Sequence, residues 1–535
     1  MGFWMLSVAW RARLAWAGGV ALAGLVLFWC YLLQSRTNGV DSDAAAIALQ
    51  GWDMLHGNLL LHGWQSADVS FYTTELPEYM LVEAIRGLRP DDVHVCAALT
   101  YTLLVLLTAL VAKGKARGGD GVVRAVLAAG IMIAPQAGLG TNTLLESPDH
   151  TGTGVPIMVI LLLLDRFRPR WYLPIVVLVL LTWVQVADPL ATVAAAAPVA
   201  AVSLIRAGTR LVRRTWSADP AWYELLLAAA ALVSIPAAHR VIAIISMHGG
   251  FYAQPLPGST FGSLSALPHQ LRVVGLCVLI LFGADPVGQS GGVTLAIVLL
   301  HLAGLLLGGL GLVAGIWLFL GRADRAGRSD RVTQMLVIAT LATLGAGWVG
   351  THVTSGFSAH EIAVVLPLAA ALAGRTLGRI RFGWVVEAEV GWALVLVLAG
   401  YLAGLGLAAS APSAPAANVT LSEWLLTHHL HQGLSGYWQA NSVVLDSGGS
   451  VILAPIYGGA PYLWDTKTAW YEPADSYANF VVSVTSPASE AVFTRPAVML
   501  RVFGPPAQTF RFQRYVIMVW DKNILADLEV TPRTS

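Results

Sequence analysis

Long apolar segments recur along the first 410 residues, and this feature limits the possible folds more than any other. A helix of about 20 apolar residues crosses the roughly 30 Å hydrocarbon core of a bilayer. Only 12% of the 535 residues are charged, about half the share found in soluble domains. We therefore predict a polytopic α-helical membrane protein with about 11 transmembrane helices, located approximately at 14–33, 94–112, 121–138, 154–164, 171–187, 190–206, 222–246, 291–320, 331–351, 360–374 and 388–409.

Basic residues cluster in alternate connections between these segments, which is the pattern expected of cytoplasmic loops. The opposite connections contain few Lys or Arg residues, so we expect them to face outward. This predicts a multi-pass protein of the plasma (inner) membrane with a cytoplasmic N-terminus. The basic groups are Arg11 and Arg13; Lys113, Lys115 and Arg117; Arg166, Arg168 and Arg170; Arg206, Arg210, Arg213 and Arg214; Arg322, Arg325, Arg328 and Arg331; and Arg375, Arg379 and Arg381.

Two apolar runs need separate interpretation. Segment 14–33 is too long for a signal peptide and lacks a small-residue cleavage site, so we assign it as the first membrane helix. The run 271–283 lies between two outward-facing segments and is too short to span comfortably. It is therefore predicted to form an interfacial or re-entrant helix.

The composition changes near Pro412, where a Ser/Ala/Pro-rich linker begins. We predict a transmembrane domain at 1–411, with a large first external loop at 34–92, and an extracytoplasmic α/β domain at 412–535. In the latter, LSEWLLTHHLHQ is helix-like, while NSVVLD, SVILAP, FVVSVT and RYVIMVW are predicted strands. Its many Trp and Tyr side chains either stack on sugar rings or fill the core and anchor the domain at the membrane interface.

The composition also excludes several function classes. A net charge of +1 gives no argument for nucleic-acid binding. The three cysteines lie in or beside apolar runs, so no disulfide framework is expected. The sequence has no Walker A loop, no Rossmann glycine fingerprint and no G-x-S-x-G or H-E-x-x-H motif, so chemistry on cytoplasmic nucleotides is not indicated.

Two acids follow the first predicted span. Asp41 and Asp43 stand at the start of a predicted helix that closes at Gly57-Asn58. Aspartate is a favoured helix N-cap and interacts well with the helix dipole, which alone accounts for one of the pair. An acid at the outer membrane boundary also suits a general base that meets both a lipid head group and an acceptor hydroxyl.

This loop resembles the first external loop of GT-C fold glycosyltransferases, which use polyprenyl-phosphate sugars and include protein mannosyltransferases and aminoarabinose transferases. Ser42-Asp43 takes the place of their acidic pair, Trp52 to Asn58 takes the helix end, and Glu75-Leu76-Pro77-Glu78-Tyr79 stands where a Pro-rich stretch is usual. Ala44 replaces the second acid, and the usual lysine is absent. The chain is most similar to uncharacterised actinobacterial integral membrane proteins of this size.

The resemblance implies an inverting glycosyltransferase with Asp43 as general base. Its partners would be membrane lipids, a lipid-linked sugar donor and a glycan, lipid or protein acceptor of the cell envelope. Glu75 and Glu78 then become candidate substrate-binding residues.

A second outward-facing loop contains Asp149 and His150 between Pro148 and two glycines. Some GT-C enzymes carry an acid here, and several bind a divalent cation. Asp43, Asp149 and His150 are therefore candidate metal ligands, and Asp149 and His150 are candidate substrate-binding residues. Alternatively, Asp149 caps the following helix.

Arg240 lies within a predicted span, where an arginine is costly unless it meets an anion, a carbonyl or water. We predict that Arg240 binds the phosphate of the lipid carrier, with Arg272 as a second candidate. Snorkelling, or a structural pair with Asp188, explains Arg240 equally well. His360-Glu361 stands where GT-C relatives often have an Arg-Tyr pair.

Three functions follow from these features. The first is a glycosyltransferase that acts on the outer face. The second is a transporter or flippase of a lipid-linked or small polar substrate, although the sequence shows no paired repeat of broken helices. The third is a GT-C-like scaffold without catalytic activity, with which the departures at Ala44 and the missing lysine are consistent.

Overall fold

The computed structural model describes residues 2–213, 220–255, 261–286, 292–320, 330–379, 384–416 and 418–528. Five of the arginines used to predict topology, Arg214, Arg322, Arg325, Arg328 and Arg381, lie outside these ranges.

In the described residues the bundle is built from thirteen helices, eleven of which overlap the eleven predicted segments. They are α1 (Gly2–Ser35), α4 (Asp91–Lys113), α5 (Gly118–Met132), α6 (Leu139–Leu145), α7 (Thr151–Arg166), α8 (Leu173–Ala187), α9 (Ala197–Arg213, preceded by a π-helical turn at Thr192–Ala196), α10 (Ala221–Met247), α11 (Leu267–Leu281), α12 (Gly292–Leu320), α13 (Arg331–Val349), α14 (Val365–Leu377) and α15 (Trp384–Ala409). Seven helices among the described residues are long and apolar enough to cross a membrane. The bent pair Gly356–Ile362 and α14 would add an eighth. The chain is thus a multi-pass membrane protein, while the count of eleven stays a prediction.

Helix α14 forms the centre of the bundle and is buried along almost its whole length. Small residues bring its neighbours close, as is usual between membrane helices. A Cβ atom on Gly311 of α12 would lie 2.5 Å from the Cα atom of Ala373, and one on Gly374 would lie 2.5 Å from the carbonyl oxygen of Arg124. The glycines therefore set the helix spacing here.

At the end of the bundle where α7 and α14 finish, several predicted loop arginines form buried ion pairs. Arg375 pairs with Asp165 at 2.7 Å and with Asp330 at 3.0 Å. A second cluster surrounds the buried carboxylate of Glu224, whose partners are Arg206, Arg210 and Arg331. These arginines hold helices together by ion pairs.

The connection between α1 and α4 contains α2 (Ser42–Leu55), β1 (Trp64–Ser66) and α3 (Glu75–Arg86). The predicted helix after the first span is confirmed: the Asp41 carboxylate accepts the Ala44 N–H at 2.9 Å and caps α2. Helices α2 and α3 pack closely because residue 51 is glycine; a Cβ there would lie 2.7 Å from the Cβ of Tyr79.

The C-terminal region, residues 418–528, is an α/β unit. Its helices are α16 (Val419–Thr427), α17 (Tyr437–Asp446), α18 (Ala488–Ala491) and α19 (Pro496–Phe503), and its strands are β3 (Gln432–Ser435), β4 (Ile452–Tyr457), β5 (Ala460–Pro461), β6 (Thr466–Lys467), β7 (Phe480–Val484), β8 (Gln508–Phe512) and β9 (Tyr515–Val519). A six-stranded sheet has the order β5-β4-β3-β7-β9-β8. Strands β3 and β4 are parallel, with α17 as their crossover.

One predicted strand in this region is wrong. The segment NSVVLD is the second half of α17. Ala440, Val443 and Val444 are all buried, and their i, i+3, i+4 spacing is that of one helix face. The glycines Gly448 and Gly449 have positive φ angles of 60° and 80° and end the helix instead of turning a hairpin.

A small three-stranded sheet ties the C-terminal region to the bundle. Strand β1 lies between β6 and β2 (Tyr252–Ala253), which follows α10. The Lys467 ammonium also pairs with Asp53 at 2.7 Å. Trp64 and Trp470 meet edge to face with ring centroids 6.0 Å apart. Three segments distant in sequence are therefore joined beside the C-terminal half of α2.

Candidate active site between α2 and the C-terminal region

The first turn of α2 places its two acids in different roles. Asp41 serves as the N-cap, so its carboxylate is used by the backbone. Asp43 is not used in this way: the Tyr437 hydroxyl, from α17, donates a hydrogen bond to its carboxyl group. This geometry is consistent with the alternative that Asp41 is only a helix cap. Asp43 therefore remains the candidate general base.

A third acid meets this pair, and sequence reasoning missed it. Asp465 lies just before β6, with a positive φ of 44°, and its Oδ1 accepts from both the Ala67 N–H at 2.9 Å and the Gln50 amide at 3.2 Å. The Tyr437 hydroxyl is 3.4 Å from its other oxygen. No motif marks Asp465 in the sequence.

The electrostatics of these carboxyl groups are those of a crowded, partly dehydrated acidic site. Burial raises the pKa of Asp43 well above its ordinary value, the charge of Asp41 raises it further, and the hydrogen bond from Tyr437 opposes both effects. Burial raises the pKa of Asp465 to about 7. The charge of Asp149 also contributes to both shifts, so the loop before α7 belongs to the same neighbourhood.

Asp149 and His150 precede α7, but Asp149 does not cap it. His150 is the N-cap residue, with a φ of 51° and no side-chain cap hydrogen bond. Its Nδ1 lies 3.0 Å from Asp188, and its Nε2 lies 3.5 Å from Asp149. Burial alone would lower the pKa of His150, but the carboxylates of Asp149 and Asp188 raise it well above its usual value.

The metal ligands predicted from the sequence are only partly brought together. Ligand atoms of Asp149, His150 and His360 lie within 4.8 Å of one another, and the two imidazoles are stacked with centroids 5.4 Å apart. Asp43 is not a member of this group. His360 enters it from the segment Gly356–Ile362, where the sequence indicates only a departure from the GT-C pattern.

Two imidazoles and a carboxylate form a plausible donor set for a divalent transition metal. In addition, Asp188 holds the Nδ1 side of His150, which leaves Nε2 directed at Asp149. A carboxylate behind a metal-binding histidine is the usual way in which proteins orient this ligand. The residues present therefore fit a cation.

Glu75 and Glu78 line a cavity of about 290 Å³ that adjoins this cluster. Each carboxyl group accepts from one threonine, Thr74 and Thr100 respectively, and each keeps one buried oxygen without a hydrogen-bond partner. Burial raises the pKa of Glu75 well above its ordinary value and that of Glu78 to about 7. The opposite wall is mostly apolar and consists of Leu103, Val155, Pro156, Val159, Leu180 and Trp183.

The two arginines predicted to bind phosphate are not joined to the acids. Arg240 on α10 and Arg272 on α11 are exposed, and neither forms an ion pair within the described ranges. Asp188, suggested as a structural partner of Arg240, instead binds His150 and Thr153. Helix α11 packs against the segment that carries His360, so Arg272 is on an element that borders the site.

Comparison with known proteins identifies solved structures with a similar architecture. No protein-family model matches the sequence, and no curated protein matches it significantly. Among solved structures, ArnT from Cupriavidus metallidurans bound to undecaprenyl phosphate aligns over 97% of this chain and 99% of its own, with a TM-score of 0.56 and 12% identity. Apo ArnT from the same organism aligns over 97% and 100%, with a TM-score of 0.55 and 13% identity.

A more distant match is the archaeal oligosaccharyltransferase AglB from Archaeoglobus fulgidus, with an inhibitory peptide and dolichol-phosphate. It aligns over 87% of this chain and 69% of its own, with a TM-score of 0.47 and 13% identity. ArnT, an aminoarabinose transferase, has the GT-C fold. Because the ArnT alignments span nearly the whole of both chains, this protein has the GT-C fold, with its C-terminal region included.

Proposed function

We propose that this protein is an inverting glycosyltransferase that moves a sugar from a polyprenyl-phosphate carrier to an acceptor of the cell envelope. The observation that carries the proposal is the position of Asp43. Asp43 lies at the start of α2, near Asp149 and in contact with the C-terminal region. The fold aligns over 97% of this chain with ArnT, whose structure holds undecaprenyl phosphate. The predicted topology places this face of the bundle outside the plasma membrane.

The chemistry is a single displacement at the anomeric carbon of the donor sugar. The acceptor hydroxyl oxygen forms the new bond to that carbon while the bond to the carrier phosphate breaks, and the polyprenyl phosphate leaves with the electron pair. The acceptor proton passes to the Asp43 carboxylate, which acts as general base. The other carboxyl groups of the cluster surround Asp43 and neither gain nor lose a proton in this step.

Asp149, His150 and His360 would hold a divalent cation. When bound, the cation would supply positive charge near the phosphate that leaves. It would also reduce the mutual repulsion of the carboxylates, since like charges in one site otherwise keep protons.

The remaining predicted residues receive roles according to their surroundings. Glu75 and Glu78 would contact the sugar with their unpartnered oxygens, and the apolar wall of their cavity would hold the first part of the carrier chain. We retain Arg240 and Arg272 as proposed phosphate ligands because their guanidinium groups are exposed.

The test is a transfer assay with purified protein, radiolabelled polyprenyl-phosphate sugars and envelope extract. We expect the wild type to transfer label and Asp43→Asn to lose transfer by a factor on the order of 10² or more, with its thermal unfolding unchanged. Asp475→Asn, at an exposed acid of the C-terminal region, is the matched control and should remain active.

Full activity of Asp43→Asn would remove Asp43 from the mechanism. Absence of transfer by the wild type with every donor at saturation would contradict the proposed function and favour a transporter, a flippase or a scaffold without catalytic activity.

A further inference from the structure

Tyr437 is placed where it contacts two carboxyl groups from different parts of the chain. It is the first residue of α17, and its side chain is 3% exposed. Its hydroxyl donates to Oδ1 of Asp43 and lies 3.4 Å from Oδ2 of Asp465. A phenol has one O–H to donate, so Asp43 receives the hydrogen bond and Asp465 stands behind it.

The surroundings hold Tyr437 in one orientation. Its ring meets Trp438 and Tyr462 edge to face, with centroids 5.3 Å and 5.5 Å away. One turn along α17, the Asn441 N–H donates to the Ser42 hydroxyl at 3.3 Å, and the Asn441 amide donates to the backbone of Asp465 at 2.9 Å. The first turns of α2 and α17 are thereby docked.

This arrangement has a consequence for a base at Asp43. A carboxylate that accepts a proton must present one oxygen to the acceptor hydroxyl, and free rotation of the carboxyl group would spread that oxygen over many positions. A hydrogen bond on Oδ1 fixes the group and leaves Oδ2 for the acceptor. Catalytic bases are commonly oriented in this way by a third group.

We infer that Tyr437 is a positioning residue for Asp43, and that the C-terminal region thus completes the site instead of only covering it. Asp465, held by Gln50 and the Ala67 N–H, supports Tyr437 from behind. The inference rests on the proposed function for its catalytic meaning, but the hydrogen bond itself can be tested without transfer.

The experiment compares Tyr437→Phe with Tyr462→Phe. The first removes the hydroxyl on Asp43 and keeps the ring; the second removes a neighbouring hydroxyl that forms no hydrogen bond to Asp43 in the structure. Infrared difference spectra, each taken against the same protein carrying Asp43→Asn, isolate the carboxyl band of Asp43. We expect this band to shift in Tyr437→Phe and to stay in place in Tyr462→Phe.

The second readout is kinetic. We expect Tyr437→Phe to lower kcat by about 10- to 100-fold, the effect of a misplaced reacting group, with KM for the donor within a factor of about two. A general loss of structure would change KM and thermal unfolding as well, and Tyr462→Phe should change neither parameter.

The outcomes separate the two claims. An unmoved Asp43 band together with unchanged kcat in Tyr437→Phe overturns the inference, whether or not Asp43 proves to be the base. If the Asp43 band shifts but the wild type transfers no sugar, the contact between Tyr437 and Asp43 is supported and the proposed function is contradicted.

Discussion

Glu83 is a single residue whose burial has a measurable cost. It lies on α3 with 1% of its surface exposed, and neither carboxyl oxygen has a hydrogen-bond partner. Burial, aided by the charge of Asp92, raises its pKa to about 9. The folded protein therefore keeps the group protonated at neutral pH, whereas the unfolded chain ionises it above a pKa of about 4.3.

The pH dependence follows from this difference. Because the folded pKa is the higher one, stability is full below about pH 4 and is lost as the pH rises toward 9. We expect Glu83→Gln to remove that loss and to raise the melting temperature in detergent at pH 8, by a free energy of roughly 1–4 kcal/mol. The advantage should shrink steadily as the pH is lowered to 4.5.

Glu423→Gln is the control for this prediction, since Glu423 is an exposed acid on α16. It should leave the melting temperature unchanged across the same pH range. A Glu83→Gln variant with a constant advantage at all pH values would show that packing, and not ionisation, is responsible.

The candidate metal ligands give a second prediction at this scale. Purified wild type should bind close to one equivalent of Zn²⁺ by metal analysis after dialysis, and the ion should raise the melting temperature because it binds only the folded state. His360→Ala removes one of the clustered donors and should weaken binding by 10-fold or more.

His428→Ala provides the comparison for His360→Ala, because His428 is an exposed histidine just after α16 and outside the cluster. It should bind Zn²⁺ as the wild type does. Equal binding by both variants would exclude this group as a metal site.

The sequence identified some of the clustered residues and not others, for a physical reason. Asp41 and Asp43 stand at a helix start, and capping chemistry is local, so their position was predictable. Tyr437 reaches Asp43 from 394 positions away, and Asp465 lies near the same tyrosine hydroxyl. That contact depends on how α17 docks on α2, which no local pattern encodes.

At the scale of elements, glycine spacing decides how closely helices approach. Gly311 faces α14, where a new Cβ would collide with the backbone of Ala373, whereas Gly309 on the same helix has nothing within 4 Å. We expect Gly311→Ala to destabilise the bundle by about 1–3 kcal/mol through overpacking, seen as a lower melting temperature in detergent.

Gly309→Ala is the matched substitution, two residues away from Gly311 on the same helix. It should be neutral or slightly stabilising, since alanine has the higher helix propensity. If both variants behaved alike, the close packing of α12 on α14 would not be the cause.

Elements also show where pattern reading works and fails. The membrane helices were predictable because apolar length alone indicates them. SVILAP overlaps strand β4, while FVVSVT and RYVIMVW contain the strands β7 and β9. The strand prediction for NSVVLD was wrong because a short apolar run fits the periods of both a strand and a helix. The segment is helical because it forms the crossover between the parallel strands β3 and β4.

At the scale of the whole molecule, the three-stranded sheet joins the C-terminal region to the connection between α1 and α4. Both must therefore lie on one side of the membrane. The arginine distribution predicts that this side is the outside, and the proposed function requires it, because the carrier, the acceptor and Asp43 have to meet there.

Cysteine labelling tests this orientation directly. Ser476→Cys, in the C-terminal region, introduces a half-exposed thiol, and Gly119→Cys, near the start of α5, introduces an exposed thiol at the opposite end of the bundle. A membrane-impermeant maleimide added to intact cells should label Ser476→Cys, and it should label Gly119→Cys only after the membrane is permeabilised. The natural Cys96 and Cys277 are buried and Cys30 is half-buried, so labelling of the wild type is measured as the background. Labelling in the opposite order would place Asp43 and its neighbours in the cytoplasm, where an acceptor of the envelope is out of reach.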